Sequence, residues 1–126
     1  MADITSVAMD TTLRARTFTT AANGGDKIVQ PGVTQRMLLV FKNTANATRT
    51  VTIAAQETAP VIGGFGVVTV ANKVLILADG SSTSTYGYVE IPKLGFNKPS
   101  DGNKILITYS SEAGLGLIAF KLPSRI

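Results

Sequence analysis

RMLLVFKNTANATRTVTI, residues 36–53, decides the fold class. Met37, Leu38, Leu39, Val40 and Phe41 form an apolar run too short for an ordinary helix. A run of that length without polar alternation predicts a strand covered on both faces. Lys42, Asn43, Thr44, Ala45 and Asn46 then bring turn chemistry, because Asn adopts unusual backbone angles and bonds its own backbone two residues on. The return segment alternates: Thr48, Thr50 and Thr52 point one way, Arg49, Val51 and Ile53 the other. The stretch is therefore expected to form a β-hairpin.

Outward from it, the same grammar repeats. Residues 16–20 and 27–29 predict short strands on either side of the turn signal Ala21-Ala22-Asn23-Gly24-Gly25-Asp26. Residues 54–66 hold Pro60 and Gly63-Gly64 and predict a long loop with room for a short strand of its own. Residues 67–70 and 73–77 predict strands about Ala71-Asn72, and residues 79–82 a turn. Tyr86, Tyr88 and Glu90 alternate against Gly87, Val89 and Ile91. Residues 104–109 and 115–122 predict two strands joined as a second hairpin through Ser110-Ser111-Glu112-Ala113-Gly114.

No segment holds a helical period. About eight strands without intervening helices predict an all-β fold, an antiparallel β-sandwich that is jelly-roll-like. The chain of 126 residues suits one domain over residues 21–126. Residues 1–20 differ: Ile4, Val7, Met9 and Leu13 keep no period, and Thr11, Thr12, Thr17, Thr19 and Thr20 favour extended backbone. They are expected to form an extended N-terminal arm. Such an arm either lies across a neighbouring subunit, adding a strand to an exposed edge, or folds back on its own sheet. In the first arrangement the partner-binding residues are Arg14, Arg16, Thr17 and Thr19, the two arginines meeting carboxylates of the partner.

Composition removes whole classes of chemistry. The chain has no Cys, His or Trp. Ser-His-Asp and Cys-His nucleophile systems cannot be built, and a zinc site would rest on carboxylates alone. The eight carboxylates, Asp3, Asp10, Asp26, Glu57, Asp79, Glu90, Asp101 and Glu112, fall mostly one per turn, where the ordinary role is to bond nearby amides. No pair is marked as a glycosidase couple. Gly64-Phe65-Gly66-Val67-Val68-Thr69 begins like a dinucleotide fingerprint but ends in Thr with no helix after it. No enzyme activity and no cofactor are expected. Tyr86 and Tyr88 share their face with Glu90 rather than with a cation, which favours a core or protein contact over base stacking. The net charge of +4 is spread along the chain, which favours a soluble, mildly basic surface over docking on an acidic partner. Residues 1–10 lack the basic and apolar regions of a signal peptide, and no apolar run reaches bilayer-spanning length. Synthesis in the cytoplasm, without a membrane or nucleic-acid partner, is expected.

Two passages carry a resemblance. Residues 36–53, an apolar strand, an Asn/Ala/Thr turn and a Thr-Val-Thr-Ile return, resemble a recurrent pattern of small capsid decoration proteins of tailed bacteriophages, the head-stabilising or cement proteins. DGNKILITYSSEAGLGLIAFKL, residues 101–122, resembles their closing hairpin, which follows a loop containing Phe-Asn, here Phe96-Asn97. The resemblance implies an all-β protein, often a homotrimer. It implies binding to the major capsid protein on the outside of the virion lattice, with no enzymatic activity and no cofactor. Alternatives of other kinds are a tail or fibre-base subunit, a carbohydrate-binding β-sandwich using Tyr86 and Tyr88, and a small β-barrel enzyme.

Overall fold

A computed structural model describes residues 2–5, 7–8, 18–29, 36–56, 61–62, 66–67, 71–91, 96–98 and 104–121. Among these residues there is no helix. The strands are β1 (Ala2–Thr5), β2 (Val7–Ala8), β3 (Thr19–Thr20), β4 (Asp26–Val29), β5 (Met37–Asn43), β6 (Arg49–Ile53) and β7 (Val61–Ile62). They continue as β8 (Gly66–Val67), β9 (Lys73–Leu77), β10 (Thr85–Ile91), β11 (Asn97–Lys98), β12 (Lys104–Tyr109) and β13 (Leu115–Lys121).

Two sheets build an all-β sandwich. The first runs β1-β4-β12-β6-β9, with β11 also on β12; the second runs β10-β5-β13-β2, with β3 also on β13. A separate ribbon pairs β7 with β8. The pairing is antiparallel except for β1 on β4 and β2 on β13. Alternation dictates the interior. Ile28, Val51, Ile53, Leu77, Ile105 and Ile107 from the first sheet meet Met37, Leu39, Phe41, Ile91, Leu115 and Leu117 from the second. Full burial of each such side chain stabilises the fold by about 1.5–3 kcal/mol before chain entropy is set against it.

The expected hairpin of residues 36–53 does not form. β5 and β6 belong to different sheets, and residues 44–48 carry the chain from one to the other. Both edges of β5 are already taken: Met37–Asn43 pairs along its whole length with β10 on one side and β13 on the other. No edge of β5 remains for β6. The alternating apolar residues of the two strands line one interior instead, with Met37, Leu39 and Phe41 on one layer and Val51 and Ile53 on the other. The closing hairpin is corrected in the same way, since β12 sits in the first sheet and β13 in the second. The two-sided cover expected of residues 37–41 is partial: Leu38 and Val40 are half-buried.

The N-terminal residues close one side. β1 lies along β4 at the edge of one sheet and β2 along β13 at the edge of the other. Ile4 is buried in the core. Of the arm predicted over residues 1–20, strands β1, β2 and β3 thus rest on the chain's own sheets, while residues 9–17 lie outside the described residues. On the opposite side of the sandwich the outer strands are β9 and β10.

Asn43 ties the crossing connections together. Its Oδ1 accepts from Ala45 N at 2.9 Å, the local turn bond expected of Asn. Its Nδ2 donates to Ala47 O at 3.0 Å, Ala78 O at 2.8 Å and Leu77 O at 3.4 Å. The buried amide therefore joins the β5–β6 connection to the β9–β10 connection. Gly80 N donates to Ala45 O at 3.0 Å between the same two segments. Gly114, at φ +77°, packs against Ala45, and its carbonyl accepts from Thr44 N at 2.9 Å, adding the β12–β13 connection.

Candidate interaction surface

The β9–β10 side carries the large exposed apolar side chains. Val74 is 59% exposed and Ile76 68%; Tyr86 is 59% and Tyr88 73%. The cause is local. Leu75 and Leu77 of β9 turn inward toward Gly87 of β10, where a Cβ would stand 2.8 Å from Leu77 Cδ2 and 2.9 Å from Leu75 Cδ2. Glycine lets the two edge strands approach. Strand alternation then forces Val74 and Ile76 out of one sheet and Tyr86 and Tyr88 out of the other. Thr52 and Thr50 lie beside Val74 and Ile76 in register, so the first sheet's outer face here is threonine and aliphatic.

On the second sheet the register builds cross-strand rows. Tyr86, Lys42 and Gly116 form one, Tyr88, Val40 and Ile118 the next, and Glu90, Leu38 and Phe120 the third. Phe18 lies over Gly116, with its ring centroid 6.1 Å from that of Tyr86. Lys42 Nζ sits 5.6 Å from the Phe18 centroid and 5.9 Å from that of Tyr86, within cation–π range. An open depression of about 220 Å³ is lined there by Phe18, Thr20, Lys42, Thr44, Leu115 and the glycines 114 and 116. At the far row Arg36 pairs with Glu90.

Three of the described carboxylates, Asp3, Asp26 and Asp79, are placed as structural parts. Asp3 pairs with Lys104 at 2.8 Å. Asp79 accepts from Ser81 N at 2.8 Å and Ser81 Oγ at 2.7 Å, and these bonds, the backbone one first, hold its carboxyl below the usual carboxylate range. Asp26 is buried and accepts from Tyr109 Oη at 2.6 Å and from Ala22 N at 3.2 Å. Among the described residues no group of three or more acidic side chains gathers as metal ligands, and no helix is long and apolar enough to cross a membrane.

Of the residues read as partner-binding, Arg14, Arg16 and Thr17 lie outside the described residues. Thr19 is exposed in β3, opposite Leu117 of the chain's own β13. The alternation in Tyr86–Ile91 puts the two tyrosines on one face, and that face is exposed rather than part of the core. Val74 and Ile76 escaped it, because KVLIL is apolar at four successive positions and shows no outward side. Lys42, expected in a turn, lies inside β5.

No family model, no curated protein and no solved structure matches this chain.

Proposed function

We propose that the chain is a structural virion protein that binds the outer surface of a bacteriophage capsid and stabilises it by non-covalent bridging of capsid subunits. It acts as a homotrimer, is made in the host cytoplasm and carries out no chemistry of its own. The observation behind this reading is the exposed set Val74, Ile76, Tyr86 and Tyr88 on two adjacent edge strands. Val74 and Ile76 stand on the outer face of the first sheet and Tyr86 and Tyr88 on that of the second, and exposed tyrosines are typical protein-contact anchors. The sequence pattern of residues 36–53 and 101–122, whose likeness to decoration proteins does not extend to hairpin pairing, supplies the kind of partner.

A ligand of the assembled state stabilises it by mass action, by about 2.7 kcal/mol per site at a hundredfold excess over Kd. The test starts from the gene neighbourhood. A major capsid protein encoded there is assembled into empty capsids, mixed with the purified chain and pelleted. Saturable co-sedimentation and a higher capsid melting temperature are expected. A chain that stays in the supernatant, or binds without raising the melting temperature, contradicts the cementing role. Imaging of decorated capsids tests the trimer: density at three-fold positions is expected, and isolated single copies oppose it.

A further inference from the structure

The row Tyr86–Lys42–Gly116–Thr20 crosses four strands, β10, β5, β13 and β3. It places an aromatic ring, a cation, a glycine and a hydroxyl side by side. The glycine makes room for a second ring: a Cβ at Gly116 would stand 3.1 Å from Phe18 Cβ, so Phe18 packs over that position. The Lys42 ammonium is flanked by the Phe18 and Tyr86 rings. Among the described residues no carboxylate lies within ion-pair distance of it, whereas Arg36 has Glu90 and Lys104 has Asp3. Rings on its flanks replace part of its hydration shell without supplying an acceptor for its N–H groups.

From this we infer that the depression beside Lys42 receives a single carboxylate side chain, Asp or Glu, of the protein to which this surface docks. The inference rests on the function proposed above and names the chemistry of its partner. Size and charge select the occupant. About 220 Å³ is smaller than the roughly 300–1,000 Å³ of small-molecule sites and suits one inserted side chain. Phosphate sites draw on guanidinium clusters or successive free amides, while this one offers one ammonium and the hydroxyls of Thr20 and Thr44, the latter already donating to Gly114 O at 3.1 Å. Phe18 and Leu115 line the open depression and Tyr86 flanks Lys42, so a partner docked over them would shield the contact from water, which is how a charged anchor gains strength at an interface.

The test uses the full chain, isotope-labelled, and two capped hexapeptides of glycine and serine with one central Glu or one central Gln. Saturable shifts at Lys42, Phe18, Tyr86 and the glycines 114 and 116 are expected with the Glu peptide. They should weaken by up to about fivefold with the Gln peptide and in Lys42→Met, the scale of a half-exposed charge pair. Lys42→Arg should keep part of the affinity. Equal shifts with both peptides, shifts spread evenly over all lysines, tighter binding of inorganic phosphate at the same residues, or a neutral oligosaccharide that binds Lys42→Met as well as the parent would each overturn the inference. Capsid co-sedimentation separates it from the broader reading. A Lys42→Met chain that still cements capsids at full affinity removes this contact and leaves the function. A parent chain that binds the Glu peptide here but ignores capsids removes the function and leaves the site.

Discussion

Tyr109 donates its hydroxyl to Oδ2 of Asp26 at 2.6 Å, joining β12 to β4 across a pair of residues 83 apart in the chain. Asp26 is fully buried, and its Oδ1 has no hydrogen-bond partner. The carboxyl therefore leans on Tyr109 and on Ala22 N. A buried acceptor that loses its donor costs about 1–3 kcal/mol, more when charged. Tyr109→Phe is expected to lower unfolding free energy by about 2–3 kcal/mol on that scale, measured by urea denaturation. A loss under about 0.5 kcal/mol, the level of an ordinary surface change, would show that the bond contributes little.

The same pair sets an alkaline limit. Burial first, then the bond to Asp26 and its charge, push the Tyr109 phenol far above its ordinary value of 10.0. The fold favours the neutral hydroxyl. Its contribution is complete below about pH 10 and drains as pH climbs past that value, because the unfolded chain ionises there and the folded chain does not. The parent should lose stability between about pH 10 and 11 faster than Tyr109→Phe does. Parallel slopes for the two would refute the linkage.

Asn43 predicts a sharper loss. Asn43→Ala frees the carbonyls of Ala47, Leu77 and Ala78 together with the amide of Ala45. The expected destabilisation is about 3 kcal/mol, from several lost bonds with partial rescue by water. Asn43→Asp sets a carboxylate against three carbonyl oxygens; it should be worse than Ala at neutral pH and recover on acidification, when the carboxyl can donate. An Asp variant as stable as the parent at pH 7 would contradict the donor role.

Two glycines separate backbone clash from side-chain crowding. A Cβ on Gly80 would run into the carbonyl oxygen of Asn43, whereas one on Gly87 meets the mobile δ-methyls of Leu75 and Leu77. Gly87→Ala should cost about 1–3 kcal/mol, the usual cost of overpacking, and Gly80→Ala should cost more. The reverse order in a thermal melt would show that the β9–β10 connection shifts to make room.

Much of the sandwich was legible in particular residues. The alternation of Tyr86–Ile91, the Asx bond of Asn43 and the turn at Gly24-Gly25 all appear as read, the two glycines at φ 85° and 105°. Both hairpins were misread because period-two alternation tells which face a strand buries, not which strand lies beside it. That choice rests on the pairing of β5 with β10 and β13, partners far away in the chain. The cation site was illegible for the same reason: Phe18, Lys42, Tyr86 and Gly116 meet only through the register of four strands. Val74 and Ile76 show that an unbroken apolar run conceals its exposed side.

The most direct measurement of the central claim is capsid binding by the Tyr86→Ser/Tyr88→Ser chain. Both side chains are exposed, and only the Tyr86 contacts with Phe18 and Lys42 are lost, so the double variant should still fold with a stability loss of about 1–2 kcal/mol. Removing two aromatic anchors should weaken co-sedimentation with capsids at least ~100-fold, the scale of two hot-spot residues. A variant that folds like the parent and no longer cements capsids is the predicted result. A variant that folds and cements with undiminished affinity would contradict the assignment of this surface to docking.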